Sequence, residues 1–177
     1  CGRSTAQTQV LWSRLMARER GAIVEDPQPG LDQVYTYLSG PGPCHNRRSL
    51  DNAAINLALA EVQNGNYTRV HSLLRDIDAD ALGPELALWY SLILVRTAIA
   101  TQDVKHVRRH LERLRAAAER SVDPRNAWQV AYASGLVARM LGDRTAAAGA
   151  FVAAEALREE ILPELTLGTA RERADTS

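Results

Sequence analysis

The chain has 177 residues, 46% hydrophobic and 24% charged, enough for one globular domain with a buried core. Lysine plus arginine and aspartate plus glutamate number 21 each, and a net charge of zero argues against a general nucleic-acid binder, which needs a basic excess. No run reaches the roughly 18 apolar residues that span a bilayer; the longest, LALWYSLILV, fits a buried helix. Alanine and leucine are abundant, Phe151 is the only phenylalanine, and no segment alternates with a period of two, so the fold class is all-α.

In chain order, the first feature is Cys1 followed by Gly2 and a polar run. This start resembles a mature bacterial lipoprotein, in which a signal peptide is cut before the cysteine and the cysteine then carries acyl chains. The resemblance implies lipidation at Cys1 and attachment to a membrane through that lipid. Gly2, in place of an aspartate, implies the periplasmic face of the outer membrane. Two or more acyl chains anchor firmly, since each buried CH₂ contributes about 0.8 kcal/mol. Residues 1–9 then form a flexible tether, Gly2–Gln9 reaching about 28 Å at most. The alternative is a cut edge of a larger cytoplasmic protein. Cys44 is an unpaired thiol if Cys1 is acylated, and a possible partner for Cys1 if it is not.

Residues 5–24 read as a first helix, with Val10, Leu11, Leu15 and Ile23 as its stripe and Trp12 and Met16 beside it. EDPQPG ends it. LDQVYTYL is a short second helix with Leu31, Val34, Tyr35 and Leu38 on one side, and SGPGPCHNRRS is a loop. Residues 10–49 are thus capping helices and a Gly/Pro loop. Three helix pairs follow. Ser49 is placed to cap the first, which breaks at Asn64–Gly65–Asn66; the second breaks at Thr101–Gln102–Asp103 and the third at Gly142–Asp143. The last helix covers Arg144–Ile161, and residues 163–177 read as a flexible tail.

The three breaks, at Gly65, Gln102 and Gly142, fall 37 and 40 residues apart. Large apolar residues stand nine positions beyond each break (Leu74, Leu111, Phe151), and Ile77, Leu114 and Ala154 stand twelve beyond. In the third pair Ser134–Gly135 precedes the break by about two turns, where a small residue lets paired helices approach. NGNYTRV, and more closely LGDRTAA, resemble the GDYxxA turn of tetratricopeptide repeats. Residues 50–162 therefore resemble three such units. Gln102 replaces the turn glycine in the second, the third lacks the turn aromatic, and the spacing exceeds the usual 34 residues. The resemblance implies a short solenoid of antiparallel hairpins, each burying the stripe of the next, with the helices before residue 50 as its N-terminal cap. It further implies a groove lined by the first helix of each pair: Asn52, Leu59 and Gln63; Trp89, Leu92 and Arg96; Gln129, Tyr132, Leu136 and Arg139. Tryptophan, tyrosine and arginine commonly anchor interfaces, and a groove carrying Arg96 and Arg139 suits an extended or helical peptide with an acidic feature.

Catalytic and metal chemistry find little support. His106 and His110 are spaced i, i+4 but sit in KHVRRHLERLR, whose cationic surroundings repel a dication, and no glutamate completes an HExxH motif. Cys44–His45 supplies too few ligands. SGPGP lacks the phosphate-loop pattern, there is no GxSxG elbow, and Asp76, Asp78 and Asp80 lack the glycine and glutamate of a calcium loop. Lys105, Arg108, Arg109, Arg113 and Arg115 form a basic cluster that would meet an acidic partner or anionic headgroups. The expectation is a protein-interaction adaptor or assembly factor of a cell-envelope complex, not an enzyme and without a cofactor. The alternative is a soluble interaction module of an intracellular regulator.

Overall fold

The computed structural model describes residues 2–19, 24–40, 46–121, 123 and 126–174. Among them the fold is all-α, with no strand. Contacts divide the chain into two compact units, Cys1–Ile93 and Leu94–Ser177.

The first unit opens with α1, Gly2–Glu19. The helix starts at Gly2, so the stretch expected as a tether is helical; Gln7 and Gln9 are strong helix formers. Leu11 and Leu15 are buried, but Val10, expected in the stripe, is 56% exposed, because one residue along a helix turns the side chain by about 100°. Ile23 lies outside the described residues. In α2, Gln28–Ser39, Pro29 sits in the first turn, where its missing N–H costs nothing. EDPQPG therefore separates two helices and also starts the second. Leu31, Val34 and Leu38 are buried as expected, and Tyr35 is half-buried. A Cβ on Gly30 would lie 2.7 Å from Leu11 Cδ2, so this glycine permits α1 to approach α2.

Helix α3, Arg47–Gln63, is capped by Asn46, not by Ser49: the Asn46 side chain accepts from the Ser49 N–H at 2.8 Å. Extended backbone at Asn46 places its carboxamide over the first turn, whereas Ser49 is already helical. α3 is buried continuously from Ala53 to Glu61 and packs against α1, α2 and α4, Tyr67–Leu74. Its alanines allow neighbours on several sides. Glu61 is 1% exposed, so its carboxylate requires partners: Arg69 Nη1 at 2.8 Å and Gln28 Nε2 at 3.0 Å. Arg69 also pairs with Asp32. One buried carboxylate thereby joins α2, α3 and α4. After α4, Arg47 donates to the Asp76 carbonyl, and the Asp78 side chain accepts from the Asp80 N–H at the start of a 3₁₀ turn, Ala79–Ala81. The aspartates that alternate here serve local structure.

Helix α5, Pro84–Ala100, starts on a proline and is buried on nearly every side between Ala87 and Ile93. In the second unit, α6, Val104–Arg120, is capped by Asp103, whose side chain accepts from the His106 N–H. Val107, Leu111, Leu114 and Ala117 form its buried stripe. It packs on α7, Ala127–Met140, and α7 packs on α8, Arg144–Ala174. Helix α8 continues beyond Ile161 through the region expected as a tail, where Glu164, Arg171, Glu172 and Arg173 favour helix.

The turns between α3 and α4, α5 and α6, and α7 and α8 share one backbone design. Gly65, Gln102 and Gly142 have φ of 76°, 58° and 83°. In each, the next N–H bonds back to a carbonyl five residues earlier: Asn66 to Glu61 at 2.8 Å, Asp103 to Ala98 at 2.8 Å, Asp143 to Ala138 at 2.9 Å. This is the Schellman stop, which satisfies helix-end carbonyls through one left-handed residue.

Candidate functional site

The expected groove residues separate by unit. In the second unit α7 carries Gln129, Tyr132, Leu136 and Arg139. Tyr132 is 43% exposed and Arg139 is exposed, while Gln129 and Leu136 are half-buried. Tyr132 and Arg139 stand two turns apart and both meet Phe151 of α8. The Tyr132 and Phe151 ring centroids are 5.6 Å apart, and the Arg139 guanidinium lies 5.9 Å from the Phe151 ring. Phe151 reaches this position because Gly135 lies beneath it: a Cβ there would stand 2.6 Å from Phe151 Cε1. The close approach expected at Ser134–Gly135 is thus made by Gly135. Ser134 faces elsewhere, accepting from Arg115 of α6 at 3.2 Å. The result is a shelf of an exposed phenol, a half-buried phenyl ring and an exposed guanidinium, suited to aromatic and anionic contacts. The Gln129 Oε1 is buried without a hydrogen-bond partner.

Lys105, Arg108, Arg109 and Arg113 are exposed on α6 and have no ion-pair partner among the described residues; Arg115 is also exposed. The field of this ridge reaches His110. Desolvation first, then Arg109 and Arg113, holds its imidazole pKa below the ordinary 6.5. Its Nδ1 is buried without a partner. His106 instead bonds the Asp103 carboxylate through Nδ1 at 2.8 Å, which holds the Asp103 pKa below its usual value. The two imidazole centroids are 6.3 Å apart, and among the described residues no group of three His, Cys, Asp or Glu side chains is placed to hold a metal ion. Nor is any described helix long and apolar enough to cross a membrane.

In the first unit Leu59 is fully buried and Leu92 is 3% exposed, so both are core rather than groove wall. The sequence of α3 and α5 is apolar around most of the helix, and both helices bury almost every face. Asn52 is half-buried and accepts from Asn56 at 3.4 Å. Gln63 is half-buried and donates to the Leu15 carbonyl at 3.4 Å, and Trp89, 8% exposed, lies edge-on to Trp12. Two of the expected groove positions thus face α1. Trp12, separated from Trp89 by most of the first unit's length, is the residue that helical spacing could not associate with this face. Arg96, on the part of α5 that belongs to the second unit, is half-buried. The proposed lipidation residue Cys1, together with Cys44 and His45, lies outside the described residues.

No protein-family model matches the chain, and comparisons with curated proteins and with solved structures return no match.

Proposed function

We propose that the chain is a tetratricopeptide-like interaction adaptor, in which three hairpins stack as a short solenoid and present a groove to a helical or extended segment of a protein partner. One observation carries this reading: the same left-handed turn, with the same backbone hydrogen bond, recurs at Gly65, Gln102 and Gly142. Repeated turns of one design at near-regular spacing favour a repeat over an irregular bundle. The Gly135–Phe151 packing supports it, as a small residue facing a large one across a hairpin is what the resemblance implies. The exposed Tyr132 and Arg139 supply the anchors, and the α6 ridge is a second face for an acidic partner.

The test is a full-length variant carrying Arg96→Glu and Arg139→Glu. Partner capture is expected to be lost while helical circular dichroism is unchanged; undiminished capture removes the groove. Acylation of Cys1, and with it a place in the cell envelope, forms a separate part of the proposal. Intact-mass measurement of protein taken from native membranes tests it. Unmodified Cys1 in the soluble fraction favours the intracellular interaction module instead.

A further inference from the structure

Helix α1 lies on two of the positions at which the adaptor reading places a ligand. Trp12 sets its ring edge-on to Trp89, with centroids 5.1 Å apart and planes at 86°. Leu15 is fully buried, and its carbonyl accepts from Gln63 Nε2. Leu11, one turn earlier, is buried against Gly30. Leu11, Trp12 and Leu15 lie on one helix face, with the i, i+4 spacing of helices that bind in grooves. The same helix is thinly held elsewhere. Gln7, Gln9, Val10 and Ser13 are exposed. Its other polar ties are Arg14 with Glu25 and the half-buried Arg18 with Asp26, each at 2.7 Å, and a bond from Arg18 to the Asn64 carboxamide oxygen at 3.2 Å; ion pairs so open to solvent contribute little. By contrast α3 is buried without interruption from Ala53 to Glu61.

We propose that α1 is the resident occupant of the first unit's recognition face, and that the protein partner supplies an amphipathic helix with the same Leu-Trp-x-x-Leu face, which takes the place of α1. The inference rests on the adaptor reading and gives its partner a chemistry: an indole to meet Trp89, two leucines to refill the buried sites, and a backbone carbonyl for Gln63. Occupancy by α1 lowers the apparent affinity by the fraction of molecules in which the face is covered. Partner binding and release of α1 are then one event.

Hydrogen exchange on the full-length protein is the first test. Amides of α1 are expected to exchange roughly 100-fold or more faster than those of α3, through local opening. Exchange of α1 at the α3 rate makes α1 an integral part of the core and overturns the proposal. A synthetic peptide of residues 7–19 is then titrated against the wild-type chain and against full-length Trp12→Ala/Leu15→Ala. The peptide is expected to bind the vacated variant about tenfold more tightly, and a further Trp89→Ala change to remove about that factor. Equal binding to both chains, or indifference to Trp89, overturns it. So does a concentration-dependent wild-type dimer with α1 exchanged between copies, which makes the occupant a second copy. Failure here, with partner capture still lost in the Arg96/Arg139 variant, removes the role of α1 and leaves the adaptor reading in place.

Discussion

Gly135 lies in α7 and Gly149 in α8, and their surroundings give opposite expectations. Replacing glycine by alanine inside a helix favours folding by about 1 kcal/mol. At Gly149 nothing lies within 4 Å of an added Cβ, so Gly149→Ala is expected to stabilise by about that amount. At Gly135 the added carbon meets the Phe151 ring at 2.6 Å. Overpacking of that kind costs about 1–3 kcal/mol, so Gly135→Ala is expected to lower the urea midpoint, and Phe151→Leu in the same chain to restore part of it. Gln102 is a third case. With φ at 58° it occupies a conformation that costs a side-chain-bearing residue about 1 kcal/mol. Gln102→Gly should therefore stabilise by up to that amount, less whatever is lost with the Gln102 Nε2 bond to the Ile99 carbonyl. His110 gives a pH dependence. Its folded pKa lies below 6.5 because burial and the neighbouring arginines oppose the charged ring. The unfolded chain thus binds this proton more readily. The contribution to stability is complete above about pH 6.5 and is lost as pH falls through the lowered folded value. Urea midpoints at pH 7.5 and 5.5 should fall in the wild type, with a smaller fall in His110→Leu.

At the scale of elements, the Glu61–Arg69 pair decides how α2, α3 and α4 stay together. Glu61 is 1% exposed, and its Arg69 partner is about one-third exposed, so the carboxylate bears the cost of desolvation. Removing Arg69 leaves Glu61 with Gln28, and Asp32 without its ion pair. Breaking one partner of a buried pair costs about 3–5 kcal/mol, so Arg69→Met is expected to destabilise toward that range in urea denaturation. The double change Arg69→Met/Glu61→Leu should recover much of it, because an apolar pair removes both the charge and its unmet solvation. In the second unit α6 follows another logic. Its buried face is four small and aliphatic residues, and its cations lie on the exposed face, where each remains hydrated. That arrangement leaves the ridge available without weakening the core.

Over the whole molecule, the charge balance of zero conceals an uneven distribution, since α6 carries Lys105, Arg108, Arg109, Arg113, Arg115 and Arg120 against Glu112 and Glu119. In the proposed groove, recognition through Arg96 and Arg139 is expected to weaken with salt, whereas recognition through the proposed Leu-Trp-x-x-Leu face is expected to depend on it little. Titrating captured partner across a salt series separates the two contributions. Strong salt dependence that survives Arg96→Glu/Arg139→Glu would assign the electrostatic part to the α6 ridge instead.

The all-α class, the three helix breaks and most of the buried stripes were determined by the sequence alone, because they follow from helix propensity, from glycine or its substitute at a left-handed stop, and from apolar residues recurring every three to four positions. Leu31, Val34, Leu38, Val107, Leu111 and Leu114 were legible on those grounds. Other features were decided only by the tertiary structure. Asn46 caps α3 because the incoming chain is extended there, a matter of backbone direction that residue preference does not settle. Leu59 and Leu92 fill the core because their helices are covered on several sides, and a helix apolar nearly all round does not say which side is left open. Trp12 meets Trp89, and Phe151 meets Tyr132 and Arg139, across gaps that no local period spans. Local spacing fixes which residues share a helix face; only packing between helices decides what that face meets.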